Sequence, residues 1–396
     1  MENVLILGGD GYLGWPTAMH LAARGYSVTV SDNYFRRHSC DELNVGMLYP
    51  IPTLIERAEA FYEITGHRIN VHIGDLADPN VMRSFFDGRV KYHVAGKSVG
   101  SPAPDAVIHY AEQPSAPYSV MSHSKADFTL LNNLRVTNNL MWAVHDFSPN
   151  THIIKLGTMG EYGTPNIDIE EGWLQVEHKG RTDKFLFPRQ AGSIYHTSKI
   201  MDTDLLWWGV RMWDLRVTDL MQGPVYGIET DETILDERLQ TIFNYDEVFG
   251  TILNRFVTQA VSGYPLTVYG KGGQTRGYLN IKDTLQCIEV ALKTPADAGE
   301  LRIFNQIVET FTANELAELV KRAGQTLGLN VVINNIDNPR KEAEEHYYNP
   351  TYQGLKGMGV KPHYLSEKVL TNMISKVMVY SENINKSFFL QGVNWV

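Results

Sequence analysis

The segment that most constrains this chain lies at its start. The apolar run Val4-Leu5-Ile6-Leu7 leads directly into Gly8-Gly9-Asp10-Gly11-Tyr12-Leu13-Gly14, and a helical pattern follows. Glycines at Gly8, Gly11 and Gly14 between a strand and a helix read as a tight turn. Such a turn brings the backbone close to a ligand and packs the helix against the strand. The first turn of that helix offers N–H groups and a favourable dipole to a pyrophosphate, with Tyr12 and Leu13 alongside. A glycine triplet alone is a common turn. This one gains weight from its strand–turn–helix setting and from Asp32, which ends the next strand about 20 residues on.

Beyond the turn, strand-like runs alternate with helical patterns. Strands are expected at 3–7, 27–31, 69–73, 106–110, 152–156 and 215–220. Helices are expected at 12–24, 51–65, 81–86, 128–145 and 193–212. Alternation of this kind means an α/β fold, a Rossmann-type doubly wound parallel sheet with helices on both faces. The stretch between Asp32 and Ile69 is an insertion carrying the 51–65 helix. After Leu220 the alternation breaks, and residues 223–278 read as loops around a helix at 248–262. Residues 302–305 return to the sheet, and 313–328 forms another helix. The expected division is a dinucleotide-binding domain of residues 1–222 with a return segment at about 279–309. A smaller, interleaved C-terminal substrate-binding domain takes 223–278 and 310–396, over the carboxyl edge of the sheet where open sheets bind ligands.

Composition excludes more than it assigns. Against 45 Asp and Glu stand 35 Lys and Arg, a net charge of −10, and no basic stripe supports nucleic-acid binding. No apolar run is long enough to span a membrane, and the opening strand is too short for a secretory signal. Cys40 and Cys287 show no metal-ligand spacing and suggest a reducing compartment. The cytoplasm is expected, or the plastid stroma if a transit peptide was removed.

Asp32 bears on the choice of cofactor. A carboxylate there accepts hydrogen bonds from a free ribose 2′-OH and repels a 2′-phosphate, which favours NAD. Its neighbours Arg36 and Arg37, next to Asn33, leave a phosphorylated ribose open or brace the adenosine end. Asp75 and Leu76, after the third strand, either lie beside the adenine or begin a turn.

The catalytic candidates lie further on. Tyr195-His196-Thr197-Ser198-Lys199 places a phenol and an ammonium four residues apart on one helix face. A phenol titrates near 10, and an adjacent ammonium and a positive nicotinamide would lower that value. The pair would then move a proton on or off a hydroxyl while hydride passes to or from NAD. Thr158 closes the fifth strand, where a hydroxyl can hydrogen-bond the reacting oxygen. Tyr-x-x-x-Lys alone is a frequent coincidence; downstream of a dinucleotide fingerprint it is a catalytic signal.

With these residues in place the chain resembles the extended short-chain dehydrogenases that act on nucleotide sugars. Residues 156–172, 266–278 and 342–349 are similar in particular to the UDP-sulfoquinovose synthase family, and the likeness covers almost the whole chain. The resemblance implies UDP-glucose and sulfite as substrates. It implies tightly bound NAD, regenerated each turnover, that oxidises C4, followed by loss of water across C5 and C6. Sulfite then adds at C6 and C4 is reduced again. Gln222 and Val225 would join the residues on the cofactor, together with Tyr195 and Lys199. Asn132, Thr158, Tyr195, Gln222, Val248, Thr251, Arg276 and Arg340 would face the UDP-sugar, Arg276 pairing with the pyrophosphate. A homodimer through the helices at 128–145 and 193–212 is also expected.

Two departures stand out. Nucleotide-sugar 4,6-dehydratases carry Asp-Glu after this threonine; here Met159-Gly160 remove two carboxylates and leave room for a sulfonate. Elimination is then left to His196, with Glu161 as second candidate, although His196 reads equally as a structural helix residue. Plant members carry Arg where this chain has Pro114, so a cation that would face substrate or sulfite is missing. The alternatives are a UDP-hexose 4-epimerase or 4,6-dehydratase with the same triad, or a catalytically silent dinucleotide-binding scaffold. An intact Thr158–Tyr195–Lys199 set argues against the scaffold.

Overall fold

The apolar run that opens the chain becomes a strand buried on both faces, with Val4 to Leu7 no more than 2% exposed. The structure, a computed structural model, describes residues 2–90, 92–94, 97–99, 102–339, 346–390 and 392–393. In chain order the strands are β1 (Asn3–Leu7), β2 (Ser27–Asp32), β3 (Ile69–Ile73), β4 (Tyr92–Val94), β5 (Lys97–Val99), β6 (Ala106–His109), β7 (His152–Thr158), β8 (Trp173–His178), β9 (Arg181–Leu186), β10 (Arg216–Gln222), β11 (Val225–Tyr226), β12 (Leu266–Tyr269), β13 (Thr275–Asn280), β14 (Leu301–Gln306), β15 (Glu309–Thr312) and β16 (Ile333–Ile336). The helices are α1 (Gly14–Ala23), α2 (Phe35–Glu42), α3 (Leu54–Thr65), α4 (Pro79–Ser84), α5 (Ala116–Val120), α6 (His123–Phe147), α7 (Ile194–Trp213), α8 (Ile252–Ser262), α9 (Ile281–Lys293), α10 (Ala313–Thr326), α11 (Gly354–Gly357) and α12 (Glu367–Val379).

Strands β14, β10, β7, β6, β1, β2 and β3 lie in that order and pair in parallel, with β4 and β5 added antiparallel at one edge. The doubly wound parallel sheet expected from the sequence is present. Side chains alternate between its faces. Leu5, Leu7, Val107, Ile153 and Val217 pack with Val136, Leu140 and Val144 of α6 and with Leu206 and Val210 of α7. On the other face Val4, Ile6, Val30 and Ile108 meet Trp15 and Met19 of α1, Phe61 of α3 and Ile288 of α9. Chain order reverses between β1 and β6, and a crevice opens at the carboxyl ends of those two strands.

A third apolar cluster gathers Phe243, Phe256 of α8, Leu316 and Val320 of α10, and Leu370 and Ile374 of α12. Leu48 and Tyr49 from the insertion join it, so the 33–68 segment bridges the sheet domain and this core. Several boundaries differ from expectation. The first helix begins at Gly14, because the glycine turn runs through Leu13. The helix expected from 248 begins at Ile252, and the N–H groups of Val248 and Phe249 instead donate to the Asp246 carboxylate. Residues 223–278 also hold the short strands β11, β12 and β13. The two cysteines are free and buried.

Candidate active site

A cavity of about 840 Å³ extends from the Gly8–Gly14 turn past the carboxyl ends of β1, β2, β6, β7 and β10 to Arg276. Its first part has the shape a dinucleotide requires. Gly8 has φ of +88°, and a Cβ there would lie 2.8 Å from the Tyr110 backbone. A Cβ on Gly14 would lie 2.0 Å from the Gly8 carbonyl oxygen, so only glycine lets α1 start this close to β1. No side chain caps the N-terminus of α1, which leaves its first amides to a ligand phosphate. Gly11, Tyr12 and Leu13 line the same wall, as do Asp32, Asn33, Arg36, Asp75 and Leu76. These residues fit NAD.

The two arginines are committed elsewhere. Arg37 does not line the cavity; its Nε and Nη2 donate to the Asp10 carboxylate, each at 2.8 Å. Arg36 donates to Asn244 Oδ1 at 3.0 Å and lies over the Phe249 ring. Asp32 meanwhile accepts from the backbone N–H groups of Asp10 and Tyr34. Burial, and then the Asp10 charge, raise its carboxyl to about 6. With Arg37 tied to Asp10, the pattern suits an unphosphorylated ribose. Asp75 also accepts from the Ala77 N–H, beginning a turn.

Tyr195, His196 and Thr158 face the middle of the cavity. Ser193 caps α7, and the Tyr195 N–H donates to Ser119 Oγ; together they fix the helix start that carries the phenol. Lys199 sits one turn on, behind the cavity wall, where its Nζ donates to Glu112 Oε1 at 2.5 Å. Burial opposes the ammonium, but Glu112, Asp202 and Glu161 together outweigh it and hold the Lys199 pKa above its ordinary value. The protein's own groups act the other way on the phenol. Burial, and then the negative Glu112, push Tyr195 well above its usual value rather than below it.

Glu161 is not placed for acid–base work on a ligand. It is fully buried and absent from the cavity wall. Its Oε1 accepts from the Thr158 N–H and from Lys155 Nζ, and Lys155 also donates to Asp219 and Thr203. Glu161 therefore braces the Thr158 turn from below. The vacancy expected at Gly160 is filled: a Cβ there would lie 2.3 Å from His196 Nε2. The missing side chain makes room for the imidazole.

In the second part of the cavity lie Asn132, Gln222, Val225, Val248, Thr251 and Arg276, with Pro114. Gln222 donates to Gln306, Thr251 to the Val225 carbonyl, and Arg276 to the Thr275 carbonyl with His346 alongside. Arg340 lies outside the described residues. The sequence reading missed Asp10, Glu112, Gln190, Arg255 and Tyr269, all of which line the cavity. Glu112 had a signal, an acidic residue just past β6 at the switch point.

Comparison with known proteins gives the site its class. The chain belongs to the NAD dependent epimerase/dehydratase family, which it matches over residues 4–305. It is 45% identical over 394 residues to "UDP-sulfoquinovose synthase, chloroplastic" of Spinacia oleracea, covering 100% of this chain and 79% of that one. It is 42% identical over 396 residues to UDP-sulfoquinovose synthase of Sulfolobus acidocaldarius, covering 99% of this chain and 97% of the other. Likeness of this extent places it on the UDP-sulfoquinovose synthase branch of the family. The fold is shared with UDP-glucose 4-epimerase of Thermotoga maritima, at TM-score 0.67 and 18% identity over 94% of this chain and 97% of that one. UDP-glucuronic acid 4-epimerase of Bacillus cereus, solved with UDP-glucuronic acid and NAD, gives 0.67 and 16% over 97% and 100%.

Proposed function

We propose that this chain converts UDP-glucose and sulfite to UDP-sulfoquinovose and water, keeping NAD bound through the cycle. Beside the full-length likeness, one observation carries the reading: Gly160 yields its side-chain space to His196, two residues from Thr158 and next to Tyr195. A dehydratase needs a carboxylate where this chain has none.

NAD, when bound, takes hydride from C4 of the glucose and returns it at the end. The Tyr195 phenolate, favoured by the Lys199 ammonium together with the positive nicotinamide, receives the proton of the C4 hydroxyl and later restores it, while Thr158 hydrogen-bonds the same oxygen. Glu112 holds Lys199 behind Tyr195. The C4 ketone acidifies C5–H, and His196 serves the loss of water across C5 and C6. Ser193 Oγ, 3.2 Å from its Nδ1, keeps the ring turned with Nε2 toward Gly160. Sulfite then adds to C6 of the enone and a proton returns to C5. Arg276 takes the UDP pyrophosphate, and residues 223–278 and 310–396 form the part that binds the nucleotide sugar.

The homodimer is part of the proposal. Trp142, Trp208 and Trp213 join α6 to α7, with ring centroids 4.6 and 4.7 Å apart. Leu131, Trp142, Met201, Trp208 and Met212 on these helices are all exposed, an apolar face suited to a second copy. No described helix is long and apolar enough to cross a membrane.

The test uses UDP-glucose deuterated at C4, with sulfite and unlabelled NAD in solution. A sulfonated product that keeps its deuterium is expected. Passage of the label into free NADH would contradict retention of the cofactor, and an unsulfonated product would contradict the synthase reading.

A further inference from the structure

Asp10 occupies a non-glycine position of the glycine turn, and its carboxylate is 2% exposed and tied on every side. Arg37 of α2 reaches it with two nitrogens, each at 2.8 Å, and spends its remaining donors on the Ile51 and Pro52 carbonyls. Arg57 of α3, wholly buried, donates to Asp10 Oδ1 at 2.5 Å and to the Gln240 carbonyl, and its guanidinium lies over Trp15 of α1. The Asp10 N–H in turn donates to Asp32 Oδ2 at 2.8 Å. Asp10 therefore fastens the turn to the end of β2 through its N–H, to both helices of the 33–68 insertion through its carboxylate, and by way of Arg57 to the strand-free segment around Gln240.

The charges of this cluster close on themselves. Two guanidiniums meet on the one Asp10 carboxylate, with Asp32 held close by through the Asp10 N–H, so neither Arg37 nor Arg57 is left as a loose cation for a phosphorylated ribose. Glycine turns are cheap to deform, since their φ and ψ are weakly restricted. A buried, fork-like pairing removes that freedom before any ligand arrives, and preorganisation of this kind acts mainly on the cost of binding and the rate of release.

We propose that Asp10, Arg37 and Arg57 are positioning residues that clamp the dinucleotide turn through the insertion, and that this clamp slows cofactor release enough for one NAD to serve many turnovers. The inference rests on NAD as the resident cofactor, and it assigns to the 33–68 insertion a role the chemistry at C4 does not require. Arg37 is the useful probe, because its side chain is partly exposed and its loss leaves the apolar core intact.

The experiment compares wild type with Arg37→Met, Asp10→Asn and the double variant, each purified with its bound cofactor. NAD release is followed by displacement with excess NADH, read from nicotinamide fluorescence, and UDP affinity is measured by calorimetry. Each single variant is expected to release NAD faster by on the order of tenfold, with UDP affinity unchanged. The double variant should be no faster than the faster single, because both substitutions break one clamp. Unchanged release rates, additive effects, or a parallel loss of UDP affinity would overturn the clamp. Wild type that retains no NAD would overturn the cofactor reading along with it.

Discussion

Glu112 shows how a single side chain can bias the protonation of the proposed catalytic pair, to which it does not belong. Its carboxylate neutralises Lys199 and adds to burial in raising the Tyr195 phenol. Glu112→Gln should leave the ammonium uncompensated beside the phenol, lowering the Tyr195 pKa. The rising limb of the pH–rate profile should move to lower pH, while kcat falls roughly ten- to a hundredfold as Lys199 loses its anchor. A limb that stays in place would contradict this coupling. Gly160→Ala tests the neighbouring contact, since the new Cβ would lie 2.3 Å from His196 Nε2. Sulfite-dependent product should fall by about a hundredfold, while UDP-glucose still reduces the bound cofactor in a stopped-flow trace at 340 nm; equal loss of both would remove His196 from the later steps. Asp202, one turn beyond Lys199, is raised to about 8 by burial and then by the Glu112 charge. A carboxyl raised in this way contributes full stability below its unfolded value of about 4 and loses it as pH climbs through the folded value. Asp202→Asn should therefore melt close to wild type at pH 4 and higher than wild type above pH 8. A difference that ignores pH would contradict it.

At the level of elements, the legible parts were those whose period matched their burial. β1, β6 and β7 are near-continuous apolar runs because both faces are covered, and α7 was placed within one residue because Ser193 is a recognisable cap. The misplaced start of α8 has a physical cause. Val248 and Phe249 look like a helix turn, but Asp246 captures their N–H groups and holds them outside the helix. The short strands β11, β12, β15 and β16, with two to four residues each, lie outside the main sheet, and their pairing is set by tertiary contacts. The β8–β9 hairpin was missed because most of its residues are exposed, so no apolar alternation marks it. The apolar face of α6 and α7 carries its own prediction. Replacing Met201 and Trp208 together by Glu should convert a dimer to a monomer in size-exclusion chromatography with light scattering. An unchanged mass would move the interface elsewhere.

Across the whole molecule, the chemistry-bearing residues come from segments far apart in sequence that the sheet's switch point draws to one edge. The glycine turn, Asp32, Thr158 and Tyr195 were readable because each sits at a strand end or helix start with a local pattern. Glu112, Asp10 and the Lys155–Glu161–Asp219 support were not, because their roles depend on partners 47 to 87 residues away. Glu161 was misjudged for the same reason: adjacency to Thr158 in sequence said nothing about which side of the turn its carboxylate takes. What distinguishes the whole enzyme from its epimerase relatives in fold is the fate of the C4 ketone, and that is directly measurable. Purified protein incubated with UDP-glucose, with and without sulfite, should yield a sulfonated nucleotide sugar by mass spectrometry only when sulfite is present. UDP-galactose, or a 4-keto-6-deoxy sugar formed regardless of sulfite, would contradict the account.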